Sequence, residues 1–114
     1  MAVIRNHRET IDRVVGDVEP VAAVLYDQDR ARIDVTGLTF KFRLVNTADG
    51  SLKVEGDAVV VSIDGGTGLS YTFAAADVDT VGVYAMYFVD QAAPQRRYPF
   101  DGPNWLLNVI AEGG

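Results

Sequence analysis

The residues able to do chemistry are few in this 114-residue chain. Nucleophilic catalysis needs a nucleophile, a base and an orienting group within hydrogen-bond reach. The only serines are Ser51, Ser62 and Ser70, and none lies in a Gly-x-Ser-x-Gly elbow. The one histidine, His7, sits near the amino terminus among polar residues, a poor place for a rigid base. Gly65-Gly66-Thr67-Gly68 lacks the spacing, the lysine and the following helix of a phosphate-binding loop, and reads as a strand connection. Asp27 with Asp29, and Asp77 with Asp79, offer oxygens to calcium, but neither pair has a calcium-loop spacing. The expectation is that Asp27 and Asp29 keep a turn soluble and that Asp77 caps or flanks a helical turn. No enzyme, cofactor or metal site is read from these residues.

Two groups remain as binding candidates. Trp105, Tyr87 and Tyr98 would form a sugar-stacking platform if their rings were exposed together. Arg30, Arg32, Arg96 and Arg97 would form a local basic patch, joined by Arg5, His7 and Arg8 near the start of the chain. Arginine outnumbers lysine eight to two, and its planar fork favours paired hydrogen bonds and aromatic stacking at protein interfaces. Overall the chain is acidic, with a net charge of −6, which argues against a general nucleic-acid binder. Cysteine is absent, which excludes disulfides, thiol catalysis and cysteine metal sites. The longest apolar run, Val83–Val89, is far short of the ~20 residues of a spanning helix. The amino terminus does not read as a secretory signal.

The elements that must position these residues are strands. Val, Ile and Thr supply 29 residues, about a quarter of the chain, and β-branched side chains suit a pleated surface. Leu38, Phe40, Phe42 and Leu44 alternate with polar residues, as do Leu69, Tyr71 and Phe73. Val59, Val61 and Ile63 share one face of another run. Val81–Val89 is apolar on both faces and predicts a covered central strand. Pro20–Tyr26, Trp105–Ile110 and Asp12–Val15 complete the set. Asn46–Gly50 and Asp64–Gly68 read as turns. Residues 74–79 predict one short helical turn. The expectation is an all-β, antiparallel sandwich of seven to eight strands over residues 10–112, with residues 1–9 as an arm and 113–114 as a loose end.

Asp79-Thr80-Val81-Gly82-Val83-Tyr84-Ala85-Met86 resembles the Asp-x-Gly-x-Tyr-x-Cys corner of immunoglobulin-like sandwiches, with one extra residue after the aspartate. Asp79, Gly82 and Tyr84 would form that corner, the tyrosine hydroxyl bonding back to it, and Met86 stands where the cysteine would be.

Read from Gly16 to Val109, the chain resembles the amino-terminal domain of the phage baseplate upper protein family. The matching signals are Gly16-Asp17 with Pro20, then Ile33-Asp34-Val35-Thr36-Gly37 before the Phe40–Leu44 strand. They continue with Gly68-Leu69-Ser70-Tyr71, Ala76-Asp77, Gly82-Val83-Tyr84 and the late turn from Tyr98-Pro99 through Asp101-Gly102-Pro103-Asn104. The resemblance implies an immunoglobulin-like fold and a non-enzymatic role in a phage or prophage virion, in the tail or baseplate. It implies synthesis in the bacterial host cytoplasm, other phage structural proteins as partners, and a homo-oligomer in the particle. The alternative is a capsid decoration or a host-surface module that binds carbohydrate. Family members commonly continue into helical or receptor-facing regions, whereas this sequence stops four residues after Ile110. That departure favours a compact adaptor, decoration or plug.

Overall fold

A computed structural model describes residues 2–4, 9–27, 29–92, 96–98 and 105–111 of the chain. Ten strands occur in the order β1 Ala2–Ile4, β2 Glu9–Val14, β3 Val21–Ala23, β4 Phe40–Asn46, β5 Leu52–Asp57, β6 Val59–Ile63, β7 Gly66–Tyr71, β8 Gly82–Asp90, β9 Arg97–Tyr98 and β10 Trp105–Ile110. A 3-10 turn, Ala75–Val78, lies between β7 and β8. The strands form two sheets, one ordered β1-β3-β7-β6 and the other β2-β10-β8-β4-β5. β9 pairs the end of β8 on the side where β10 pairs its beginning.

The expected all-β sandwich is present, with two differences. The described residues form ten strands rather than seven or eight, and the sheets are mixed rather than antiparallel. β1 runs parallel to β3, and β2 runs parallel to β10. Both exceptions involve the first fourteen residues. They also correct the expected arm: within residues 1–9, Ala2–Ile4 is a strand, Ile4 is a core residue at 1% exposure, and Glu9 opens β2. Residues 5–8, which include Arg5, His7 and Arg8, and residues 113–114 lie outside the described residues.

Alternation puts one side of each strand into a common core. β4 contributes Phe40, Phe42 and Leu44, β8 contributes Tyr84, Met86 and Phe88, and β10 contributes Trp105, Leu107 and Val109. Ile4, Val21, Ala23 and Leu69 meet them from the other sheet, with Leu25 and Phe73 from the segments that follow β3 and β7. Phe42 is the hub. Its ring stacks on Tyr71 with centroids 4.4 Å apart and meets Phe73 and Phe88 edge-on at 5.8 and 5.4 Å. Such offset and edge contacts suit the ring quadrupole and add to simple burial. A second, smaller cluster of Ala22, Val24 and Ile63, packed with Val3, Tyr26 and Val61, lies on the outer face of the four-stranded sheet.

β8 is central, with β10 and β4 on either side. Its outward residues Ala85 and Val89 are each only 5% exposed, although no third layer of strands covers them among the described residues. Their cross-strand neighbours are Val45 and Leu106 around Ala85, and Lys41 and Arg97 around Val89.

The β6–β7 connection is a two-residue turn. Asp64 and Gly65 have φ of 48° and 79°, the positive pair that a type I′ hairpin requires, so Asp-Gly here matches the twist of the strands. The strand β7 therefore starts at Gly66, inside the segment expected to be a turn.

The 3-10 turn is held at its start by Asp77. Its carboxylate accepts the Ala74 N–H at 2.8 Å and the Tyr71 hydroxyl at 2.9 Å. Burial, and then this bond to Asp77, push the Tyr71 hydroxyl up to about 12. The folded chain thus keeps a proton that the unfolded chain releases near the ordinary value of 10.0. The stability linked to it is complete below pH 10 and is lost as pH rises from 10 to about 12. In urea titrations followed by far-UV circular dichroism, Tyr71→Phe is expected to flatten that alkaline limb relative to the wild type. Parallel limbs for the two proteins would mean that Tyr71 does not carry it.

Candidate functional site

Among the described residues, titratable side chains sit in turns and surface pairs. No three His, Asp or Glu side chains converge on a common point among them. Three of the four carboxylates in the two acidic pairs, those of Asp27, Asp77 and Asp79, are engaged by the chain itself. Asp27 accepts the backbone N–H groups of Asp29 and Ala31 at 2.8 and 2.9 Å and shapes the loop that carries Arg30. Asp79 accepts Lys53 Nζ at 2.6 Å and the Thr80 hydroxyl at 2.8 Å, and these two bonds hold its carboxyl below the usual range. Tyr84, two residues after Gly82 on β8, donates its hydroxyl to the Thr80 carbonyl at 2.8 Å. The ring therefore ties the start of the central strand to the turn before it. Met86, at the cysteine-like position, is fully buried between Leu44 and Trp105 in register.

The aromatic platform does not form. Trp105 and Tyr98 are 3% and 6% exposed and point into the core, because their alternate positions on β10 and β9 face the other sheet. Tyr87 points out on the opposite face of β8. A sugar cannot stack on all three.

The arginines are placed as follows. Arg32 folds over the β6–β7 hairpin and donates to the carbonyls of Ile63 and Asp64 at the turn and of Thr67 at 3.1 Å. Gly66 makes room for it: a Cβ there would come within 2.8 Å of the guanidinium carbon. Beside it the Thr67 hydroxyl donates to Asp34 at 3.0 Å and accepts the Val35 N–H at 2.9 Å. Arg32 is thus an internal clamp. Arg97 is exposed and lies 4.5 Å over the Tyr87 ring, a cation–π contact. Arg30, with a φ of 64°, and Arg96 are exposed. Around the Tyr98 hydroxyl, which burial pushes up, Arg96 is mixed with Asp90 and Asp27 rather than standing in a basic field. Sequence reasoning missed Arg13, which is 8% exposed, with Nε and Nη2 lacking hydrogen-bond partners. Its one sequence signal is that it shares the inward face of β2 with Ile11.

What the fold offers instead is edges and an outer face. Over the six-stranded sheet, Val45, Asn46, Thr47, Ala85, Tyr87 and Arg97 line a shallow groove of about 390 Å³. Among the described residues, the strands that end the two sheet orders are β1, β6, β2 and β5. The chain shares its fold with the N-terminal domain of phage TP901-1 ORF48. The two superpose with a TM-score of 0.55 over 96% of this chain and 98% of the ORF48 domain. The agreement thus concerns the whole sandwich and not a single hairpin. At 19% identity the likeness to the ORF48 domain is one of fold. No protein-family model and no curated protein matches the chain.

Proposed function

We propose that the protein is a non-enzymatic structural component of a phage or prophage particle, an assembly module of the tail or baseplate that acts through protein–protein contacts. The observation that carries this reading is the end-to-end fold likeness to a domain of a phage protein. It agrees with the resemblance to the baseplate upper protein family seen in residues 16–109. The chemistry of the described surface is consistent with it: acids and bases are spent on turns, clamps and surface pairs. Large apolar side chains such as Leu52, Val59 and Val83 remain 42–61% exposed. Partners are then other structural proteins of the particle, engaged through strand edges and the outer face of the six-stranded sheet.

The test is location. Particles made by the phage or prophage that encodes the chain, purified on a density gradient, are expected to contain it, with antibody label at the tail end. A stop codon early in the gene is expected to leave particles with incomplete tails. Purified particles without the chain would overturn the proposal. Label over the head shell would instead support the capsid-decoration alternative.

A further inference from the structure

Among the described residues, three of the four strands that end the sheets are blunted against pairing, and one is not. β1 is three residues long. β2 carries Glu9, Asp12 and Arg13. β5 carries Lys53, Glu55 and Asp57, tied in pairs to Asp79, Arg43 and Lys41. Short length and charge are the usual devices that keep edges from recruiting strands. β6 reads Val59-Val60-Val61-Ser62-Ile63 and has no charge, proline, glycine or bulge. Val59 and Val60 are 61% and 40% exposed.

The register on β7 fixes which backbone groups β6 leaves open. Ile63 and Gly66 close a two-residue hairpin and exchange both hydrogen bonds, and such pairs alternate along the ladder. Ile63, Val61 and Val59 therefore turn their N–H and C=O groups toward β7. Val60 and Ser62 turn theirs outward.

We infer that β6 pairs antiparallel with β6 of a second copy of this chain, about a two-fold axis through Val61. The occupant is a second copy because the strand is self-complementary in this register. Val60 and Ser62 of one copy exchange both hydrogen bonds with Ser62 and Val60 of the other, so every outward backbone group on the strand is used. Val61 meets its own counterpart, and Val59 meets Ile63. Both contacts extend the outer-face cluster of Ile63 and Val61 without interruption from one copy to the next. At the flanks Asp64 falls opposite Ala58 and Asp57 opposite Gly65, so no charge faces a like charge directly. The result is one continuous eight-stranded sheet. A five-residue edge covers less than the roughly 800 Å² per partner of a standard interface. With a charge of −6 on each copy, the pair is weak and strengthens with salt. The inference rests on the assembly reading for its purpose and on the strand register for its geometry.

The chain has no cysteine, so Val61→Cys introduces a single thiol. Across a two-fold non-hydrogen-bonded pair the Cα atoms stand about 4.5 Å apart, within disulfide range. Under mild oxidation Val61→Cys is expected to form a covalent dimer several-fold faster than Leu52→Cys, which is 55% exposed on the charged β5 edge. In sedimentation, the unmodified chain is expected to dimerise at high concentration, more so with added salt, and Val60→Lys to stay monomeric with an unchanged circular dichroism spectrum. Equal cross-linking rates for the two cysteine variants, or dimerisation that survives Val60→Lys, would overturn the pairing. Because these measurements use the isolated chain, they separate this inference from the particle reading. A chain found in particles but not paired through β6 defeats only the former, and a β6 dimer missing from particles defeats only the latter.

Discussion

Replacing Phe42 with alanine is expected to remove about 3–5 kcal/mol of stability, the usual loss for a buried aromatic ring. Domains of this kind are stable by about 5–15 kcal/mol in total, so the variant should lie close to its unfolding threshold. The ring is 1% exposed and sits where the sheets meet. It stacks on Tyr71 of one sheet and touches Phe88 of the other, and Phe88 in turn meets Trp105 at 6.1 Å. No neighbouring side chain can swing in to fill the gap, since each ring is already held by another. Trp105 is the single tryptophan and is buried at the end of this chain of rings, so its fluorescence reports the loss directly. A urea midpoint for Phe42→Ala within error of the wild type would show that the two sheets are not joined through this hub.

The second large effect concerns the amino terminus. Ile4→Ala is expected to cost about 2–5 kcal/mol, and deletion of residues 1–4 at least as much. Ile4 is 1% exposed and belongs to the main core, and β1 supplies the parallel partner of β3 from Ala2–Val21 to Ile4–Ala23. The Ile4 carbonyl also accepts the Val24 N–H at 2.9 Å, beyond the strand proper. Both variants would be compared with the wild type by urea denaturation. If the shortened chain keeps the wild-type midpoint, residues 2–4 are a detachable arm after all and their burial contributes nothing.

That second prediction reverses what the sequence alone suggested, and the reason is instructive. β10 was readable from Trp105 to Ile110 because a short run of mostly apolar residues is a local signal. β4 was readable from its alternation and β8 from its continuous apolar run, shifted by one or two residues at their ends. The helical turn and the Asn46–Gly50 loop follow from local alanine, asparagine and glycine chemistry. β1 is too short to show a period, and its pairing with a strand almost twenty residues away writes nothing into either segment. β2 looks half polar because Asp12 and Arg13 sit at a sheet edge, one facing solvent and the other buried. Parallel pairing leaves no turn in the sequence to announce it, so the two parallel pairs were the part of the topology that could not be seen.

The interface candidates were legible as types but not as places. Arg32 and Arg97 are the same residue type, yet one is consumed by a hairpin and the other lies on Tyr87. Trp105 and Tyr98 lost their proposed role for a simpler reason: in a six-stranded sheet the inward phase of β9 and β10 takes them. The uncharged edge was visible only as a face of three apolar residues. That it is the outermost strand of its sheet depends on a strand order that no local pattern encodes.

The pairing of β2 with β10 joins Glu9 to Trp105 and Val14 to Ile110, nearly the full span of the polypeptide. During translation the first of these strands emerges from the ribosome long before its mate has been synthesised. Until then the nascent protein carries two open ladders, one on β2 and one on the first half of β8. Contacts this distant in sequence close slowly. The interval before they close is when a growing chain is most exposed to capture by chaperones or by sister chains on the same messenger.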